Sequence, residues 1–235
     1  ITELSEVAFN SDRSVLSLVT LKAPLCVSEK ERAPLDLVAV IDHSGSMAGE
    51  KLDKVKKTLS FGIKQMKSTD RMAIVLFEKE VSTLFGLTKM TDENKQMALD
   101  KVSSVRQAGL TALAGGLHQG FEVLTQEQDS TSEANSVSSI LLFTDGEANV
   151  GLQKAEKIVE MMKKDQKKLK KETTVFCFGY GSDHSEKMLR SISDAAGGMY
   201  YYVEDEENIP SAFGDYVGGL LSAAAQNLKL ELEAG

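Results

Sequence analysis

Asp42, Ser44 and Ser46 stand at alternate positions in Ile41-Asp42-His43-Ser44-Gly45-Ser46-Met47. A carboxylate and two hydroxyls, set around a turn that Gly45 opens, can aim oxygen donors at one point. A second set occurs where the apolar run Ile140-Leu141-Leu142-Phe143 ends in Thr144-Asp145-Gly146. Each aspartate closes a hydrophobic run, and open parallel sheets bind ligands outside the carboxyl ends of their strands. If the two strands are near each other, Asp42 and Asp145 share one rim. A rim of carboxylates and hydroxyls, without clustered His or Cys, suits a hard cation rather than zinc or copper. Asp-x-Ser-x-Ser also has a plainer reading, because these residue types cap helices and form turns.

Three segments together resemble the metal-ion-dependent adhesion site (MIDAS) of von Willebrand factor type A (vWA) domains. They are Asp42-x-Ser44-x-Ser46, the threonine of Gly109-Leu110-Thr111-Ala112, and Thr144-Asp145-Gly146. The likeness runs from about Leu35 to Ala224. It includes the strand end Phe178-Gly179-Tyr180-Gly181 and the turn Gly197-Gly198-Met199-Tyr200-Tyr201. Leu110 departs from the pattern, standing where the family usually has a second glycine. The resemblance implies that Ser44 and Ser46 bind a metal directly through their hydroxyls. Thr111, Asp42 and Asp145 would bind directly or through water. The implied ion is Mg2+, with Mn2+ or Ca2+ as alternatives. Neutral hydroxyl ligands leave such a cation underneutralised, so an acidic side chain of a protein partner can complete the shell. The expected function is therefore a metal-dependent protein-binding module and not an enzyme.

Two other readings stand beside it. One is a structural or regulatory vWA domain of a larger multidomain protein. The flanks favour this, being similar to vWA proteins with an adjoining β-sandwich, such as certain plant RING-type ubiquitin ligases. The other is a metal-assisted hydrolase, with Asp42 as nucleophile or metal ligand and His43 as acid–base group. The blander expectation leaves the His43 ring in solvent, His184 at a helix start and His118 on a helix surface. No phosphate loop, dinucleotide fingerprint or nucleophile elbow occurs.

The elements that must position these residues follow from periodicity. Leu35–Ile41 is a nearly continuous apolar run, as in a strand buried on both faces. Leu52, Val55, Leu59, Ile63 and Met66 recur at helical spacing. Met72–Phe77 is a strand, and Val81–Leu87 pairs with it as a hairpin. Helices are predicted over Asp92–Val105 and Leu113–Leu124, a polar loop over Gln126–Ser138 and a strand over Ser139–Phe143. Leu152, Ala155, Ile158, Val159 and Met162 indicate a helix. Thr174–Phe178, Glu186–Ala196, Met199–Val203 and Ile209–Ala224 then alternate strand and helix. The alternation predicts a Rossmann-like α/β fold, an open and mostly parallel sheet with helices on both faces. Residues 1–33 are expected to give β-strands of an appended sheet, 34–224 the vWA domain, and 225–235 a strand rejoining that sheet.

Bulk composition excludes several classes. A net charge of −8 over 235 residues argues against a nucleic-acid partner, which needs a basic face. No apolar run reaches membrane-spanning length, so this segment is expected to make no membrane contact. The chain begins at Ile1, not Met, and reads as a fragment. Two cysteines give no disulfide framework. With no Asn-x-Ser/Thr site and the ligase-like flanks, this leans towards the cell interior, although the sequence fixes neither compartment nor oligomeric state.

Overall fold

Every residue of the first apolar run, Leu35–Asp42, is buried. Such a strand has no polar face because both of its faces are covered. The computed structural model describes residue 20 and residues 33–130, 135 and 137–221. The appended sheet expected of segments 1–33 and 225–235 falls almost wholly outside the described residues. The compact unit that contains the site runs from Ala33 to Leu221.

Its elements in chain order are β1 (Leu35–Asp42), α1 (Glu50–Gln65), β2 (Arg71–Phe77), β3 (Val81–Lys89), α2 (Asp92–Ser104), α3 (Leu113–Ser130), β4 (Val137–Thr144), α4 (Ala155–Gln166), β5 (Thr173–Tyr180), α5 (Glu186–Ala195), β6 (Tyr200–Val203) and α6 (Ile209–Leu221). Among the described residues, six strands form one sheet in the order β3-β2-β1-β4-β5-β6. All neighbours pair in parallel except the β2–β3 hairpin at one edge. This is the α/β architecture expected from the alternation.

Alternate residues of β1 feed two cores. Leu37, Ala39 and Ile41 pack with Val55, Leu59 and Ile63 of α1 and with Phe213 and Tyr216 of α6. Val38 and Val40 pack on the opposite side with Leu117 and Phe121 of α3, Ile158 and Met162 of α4, and Ile192 of α5. The period-2 pleat meeting 3.6-period helical stripes thus makes three layers.

The sheet order also fixes where a ligand can sit. From β1 the chain winds outward to β2 on one side, while β4 opens the other half. The carboxyl ends of β1 and β4 therefore flank the topological switch point, where the crossovers diverge and leave a crevice. Ile41 pairs with Phe143, so Asp42 and Thr144 emerge side by side.

Two local expectations change. Helix α3 continues to Ser130, through part of the segment expected to be loop. Gln126, Glu127 and Gln128 are adequate helix formers, and no Gly or Pro intervenes to stop the helix. Leu152 lies before α4 and is exposed, so it does not belong to that helix's apolar stripe.

Candidate metal centre

β1 delivers Asp42 to the rim fully buried, and the chain then turns sharply. One carboxylate oxygen of Asp42 accepts the Ser44 backbone N–H at 2.9 Å, and the other accepts the Thr144 hydroxyl at 2.6 Å. The first bond closes an Asx-type turn, and the second ties the ends of β1 and β4 together. Gly45–Met47 then forms a short 3-10 turn anchored by the fully buried Met47. Ser44 and Ser46 bring their hydroxyl oxygens to 3.2 Å from each other. Ser44 is buried and Ser46 is exposed, so the pair faces outward from the rim.

The loop that carries Thr111 is attached to this turn by backbone bonds. Gly45 N–H donates to the Gly109 carbonyl at 3.0 Å, and Ala108 N–H donates to that of His43 at 2.7 Å. Gly109 has a positive φ of 25°, and the departing residue Leu110 simply projects into solvent at 50% exposure. Thr111 is buried. Its N–H donates to the Asn149 side chain at 2.8 Å, and its carbonyl accepts the N–H groups of Asn149 and Val150. This places the segment after Asp145 against the Thr111 loop. Asp145 is itself fully buried at the end of β4. The structure thus gathers Asp42, Ser44, Ser46, Thr111 and Asp145 at one end of the sheet.

The charge at this rim is unbalanced. Asp42 and Asp145 are both buried, and the Lys51 ammonium lies 3.1 Å from Asp145 and 2.8 Å from the exposed Asp183. Burial pushes the Asp42 carboxyl up to about 6, against hydrogen bonds from Ser44 and Thr144, and the Asp145 charge adds to the rise. Burial also works against the Lys51 ammonium, but its bonds to Asp183 and Asp145 outweigh this and raise its pKa. With the one ammonium, Lys51, paired to Asp145 and Asp183, the two buried carboxylates Asp42 and Asp145 leave room for further positive charge.

The donor set fits a hard cation. It contains only oxygen, and octahedral bonds near 2.1 Å place adjacent ligands about 3 Å apart. The Ser44–Ser46 separation of 3.2 Å is close to that value.

Two histidines lie around the rim without joining its oxygen donors. The half-exposed His43 ring donates to the Arg106 carbonyl at 2.9 Å. His184 bonds the Tyr200 hydroxyl and stacks on Tyr202 at 4.6 Å, between β6 and the start of α5. Lys51, Glu78 and Asn149 support the rim but carry no sequence signal of their own. Glu78 accepts the Leu110 N–H through its side chain and the Ala112 N–H through its carbonyl, bracketing the Thr111 loop.

A family model described as von Willebrand factor type A domain matches residues 36–215. Inter-alpha-trypsin inhibitor heavy chain H3 of Pongo abelii is 38% identical over 129 residues, which are 54% of this chain and 15% of that protein. The chain thus spans a small part of the curated relatives it matches. A solved von Willebrand factor type A structure from Catenulispora acidiphila superposes with a TM-score of 0.65 at 19% identity, covering 81% of this chain and 43% of that one. Proximal thread matrix protein 1 of the mussel byssus, with a zinc-occupied MIDAS motif, superposes with a TM-score of 0.62 at 17% identity, covering 79% of this chain and 48% of the other. At these identities the structural likeness is one of fold.

Proposed function

The chain belongs to the von Willebrand factor type A family of protein-interaction and adhesion modules, and from that premise we propose that it is a magnesium-dependent binding module for an acidic protein partner. The observation that carries this reading is the gathering of five oxygen-bearing residues at the switch point between β1 and β4, with more buried carboxylate than ammonium. Ser44 and Ser46 would hold the cation through their hydroxyls. Asp42, Thr111 and Asp145 would hold it directly or through water. When bound, the ion supplies an electrophilic centre that a partner carboxylate can reach.

This chain's residues perform the rest. Asp42 and Thr144 lock the two strand ends, so that the hydroxyl pair has a fixed base. The half-exposed Leu110 gives apolar surface beside the rim, where a partner side chain can pack. The zinc-bearing mussel neighbour lends support, because the same fold there accepts a divalent ion at this motif. Mn2+ or Ca2+ would satisfy the same oxygen donors with looser geometry.

Isothermal titration with magnesium tests the site. One site is expected, lost in Asp42→Ala and in the double variant Ser44→Ala/Ser46→Ala, with circular dichroism unchanged. Undiminished binding in those variants rejects the assignment. A peptide array then tests the partner chemistry: capture should need magnesium and should vanish when Asp and Glu become Asn and Gln. Capture that ignores both metal and acid would favour a structural role for the domain.

A further inference from the structure

A second cluster of donors lies between α3 and α4, away from the ends of β1 and β4. His118 and Glu122 are four residues apart on α3, so they share one helix face. Asp165, near the end of α4, meets them there. His118 Nδ1 lies 2.7 Å from Asp165 Oδ2. One donor atom from each of the three residues can be chosen so that all lie within 4.8 Å of one another. A cation is already drawn to this point: the Lys168 ammonium sits 3.1 Å from Glu122 and 2.9 Å from Asp165.

We infer that His118, Glu122 and Asp165 form a zinc site that clips α3 to α4, with Lys168 as the resident cation that zinc displaces. The ligand types select the ion. One imidazole with two carboxylates suits zinc, whereas magnesium and calcium prefer an all-oxygen shell. Charge favours the exchange. Two carboxylates with one ammonium sum to −1, and two carboxylates with Zn2+ sum to zero.

The geometry needs only side-chain adjustment. Zinc bonds of about 2.0–2.1 Å set tetrahedral donors roughly 3.3 Å apart. The His118–Asp165 contact must therefore open from 2.7 Å, and the wider separations must close from at most 4.8 Å. Asp165 is the rigid member, its side chain only 5% exposed. His118, Glu122 and Lys168 are 44%, 30% and 48% exposed and retain rotamer freedom. Three protein ligands leave a fourth position for water. A zinc bridge would hold together two helices of the same layer, and Lys168 would swing into solvent.

Zinc is titrated into the chain in excess magnesium, which keeps the hydroxyl rim filled. One zinc equivalent is expected. His118→Ala and Glu122→Gln should each weaken it by at least about tenfold, as loss of a metal partner does. Lys168→Met should tighten it, because no ammonium then competes. Zinc should raise the melting temperature of the unaltered chain but not of His118→Ala, and it should shift the His118 ring signals in NMR spectra. Equal zinc affinity with and without His118, or no zinc uptake in excess magnesium, overturns the site. Either result leaves the magnesium reading standing, because the two sites share no residue.

Discussion

Lys51 sets its ammonium nitrogen 3.1 Å from Oδ2 of Asp145, a carboxylate with a wholly buried side chain. An ammonium there offsets buried negative charge, as the proposed divalent ion would. The ion proposed for this rim would compete electrostatically with Lys51 for the same carboxylate. Lys51→Met is therefore expected to tighten magnesium binding about tenfold, equivalent to ~1.4 kcal/mol of lost competition. The same variant should lower the melting temperature in chelator. Titration calorimetry and thermal melts with and without EDTA check both, and weaker magnesium binding in Lys51→Met would refute the competition.

Asp42 predicts a pH dependence with a definite sign. Its folded pKa of about 6 lies above the ordinary 3.8. Between those values the folded state binds more protons than the unfolded state, so stability falls as pH rises through the window. In EDTA the chain should gain on the order of 2 kcal/mol as pH drops from about 7 towards 4, apart from the titration of other groups. Asp42→Asn should lack that component. In excess magnesium the trend should reverse, because protons and metal compete for Asp42. Identical pH profiles in EDTA for the two proteins would count against a buried, uncompensated Asp42.

These two residues show how far sequence reasoning reaches. The rim is legible because Asp42 and Asp145 each end an apolar run, and the strand-order rule puts such ends together. The layers are legible because β1 and β4 lack polar alternation while α1 keeps its apolar stripe at helical spacing. Lys51 is not legible in the same way. Periodicity places it on the polar side of α1, but only the packed fold decides which carboxylate it meets. His118 and Asp165 fail for the same reason: each reads as an ordinary polar helix residue until α3 and α4 lie side by side. The extension of α3 to Ser130 escapes a hydrophobic pattern because its last turn has few apolar residues.

Asp36 offers a case where the sequence gives a polar residue inside a core strand and the structure supplies its partner. The Arg71 guanidinium donates to Asp36 Oδ1 at 2.8 Å and Oδ2 at 2.7 Å, with both side chains buried. Arg71→Met should cost about 3 kcal/mol, because it leaves a buried carboxylate without its cation. The Asn135 side chain, 2.9 Å from Asp36, keeps the loss from being larger. Adding Asp36→Asn should recover part of the stability. Urea unfolding of the two single variants and the double variant measures this, and simple additivity would mean that the pair is not coupled.

Gly109 links backbone conformation to the proposed metal affinity. Its φ of 25° is one that L side chains rarely adopt, and a Cβ there would stand 1.8 Å from Glu78 Oε2. Glu78 would have to swing aside and give up the Leu110 N–H and Glu80 N–H that its carboxylate accepts. The Lys79 N–H first, then those of Glu80 and Leu110, hold its pKa below the ordinary carboxylate value. Gly109→Ala should therefore shift the loop that carries Thr111 and destabilise the fold by ~1–2 kcal/mol, the typical penalty for a left-handed residue. Gly151 is the control, because it has a φ of 72° with nothing within 4 Å of a Cβ. Gly151→Ala should show only the conformational share of that stability loss and leave magnesium affinity unchanged. Gly109→Ala should also weaken magnesium severalfold. If both variants retain full magnesium affinity by calorimetry, the Thr111 loop does not contribute to the metal shell.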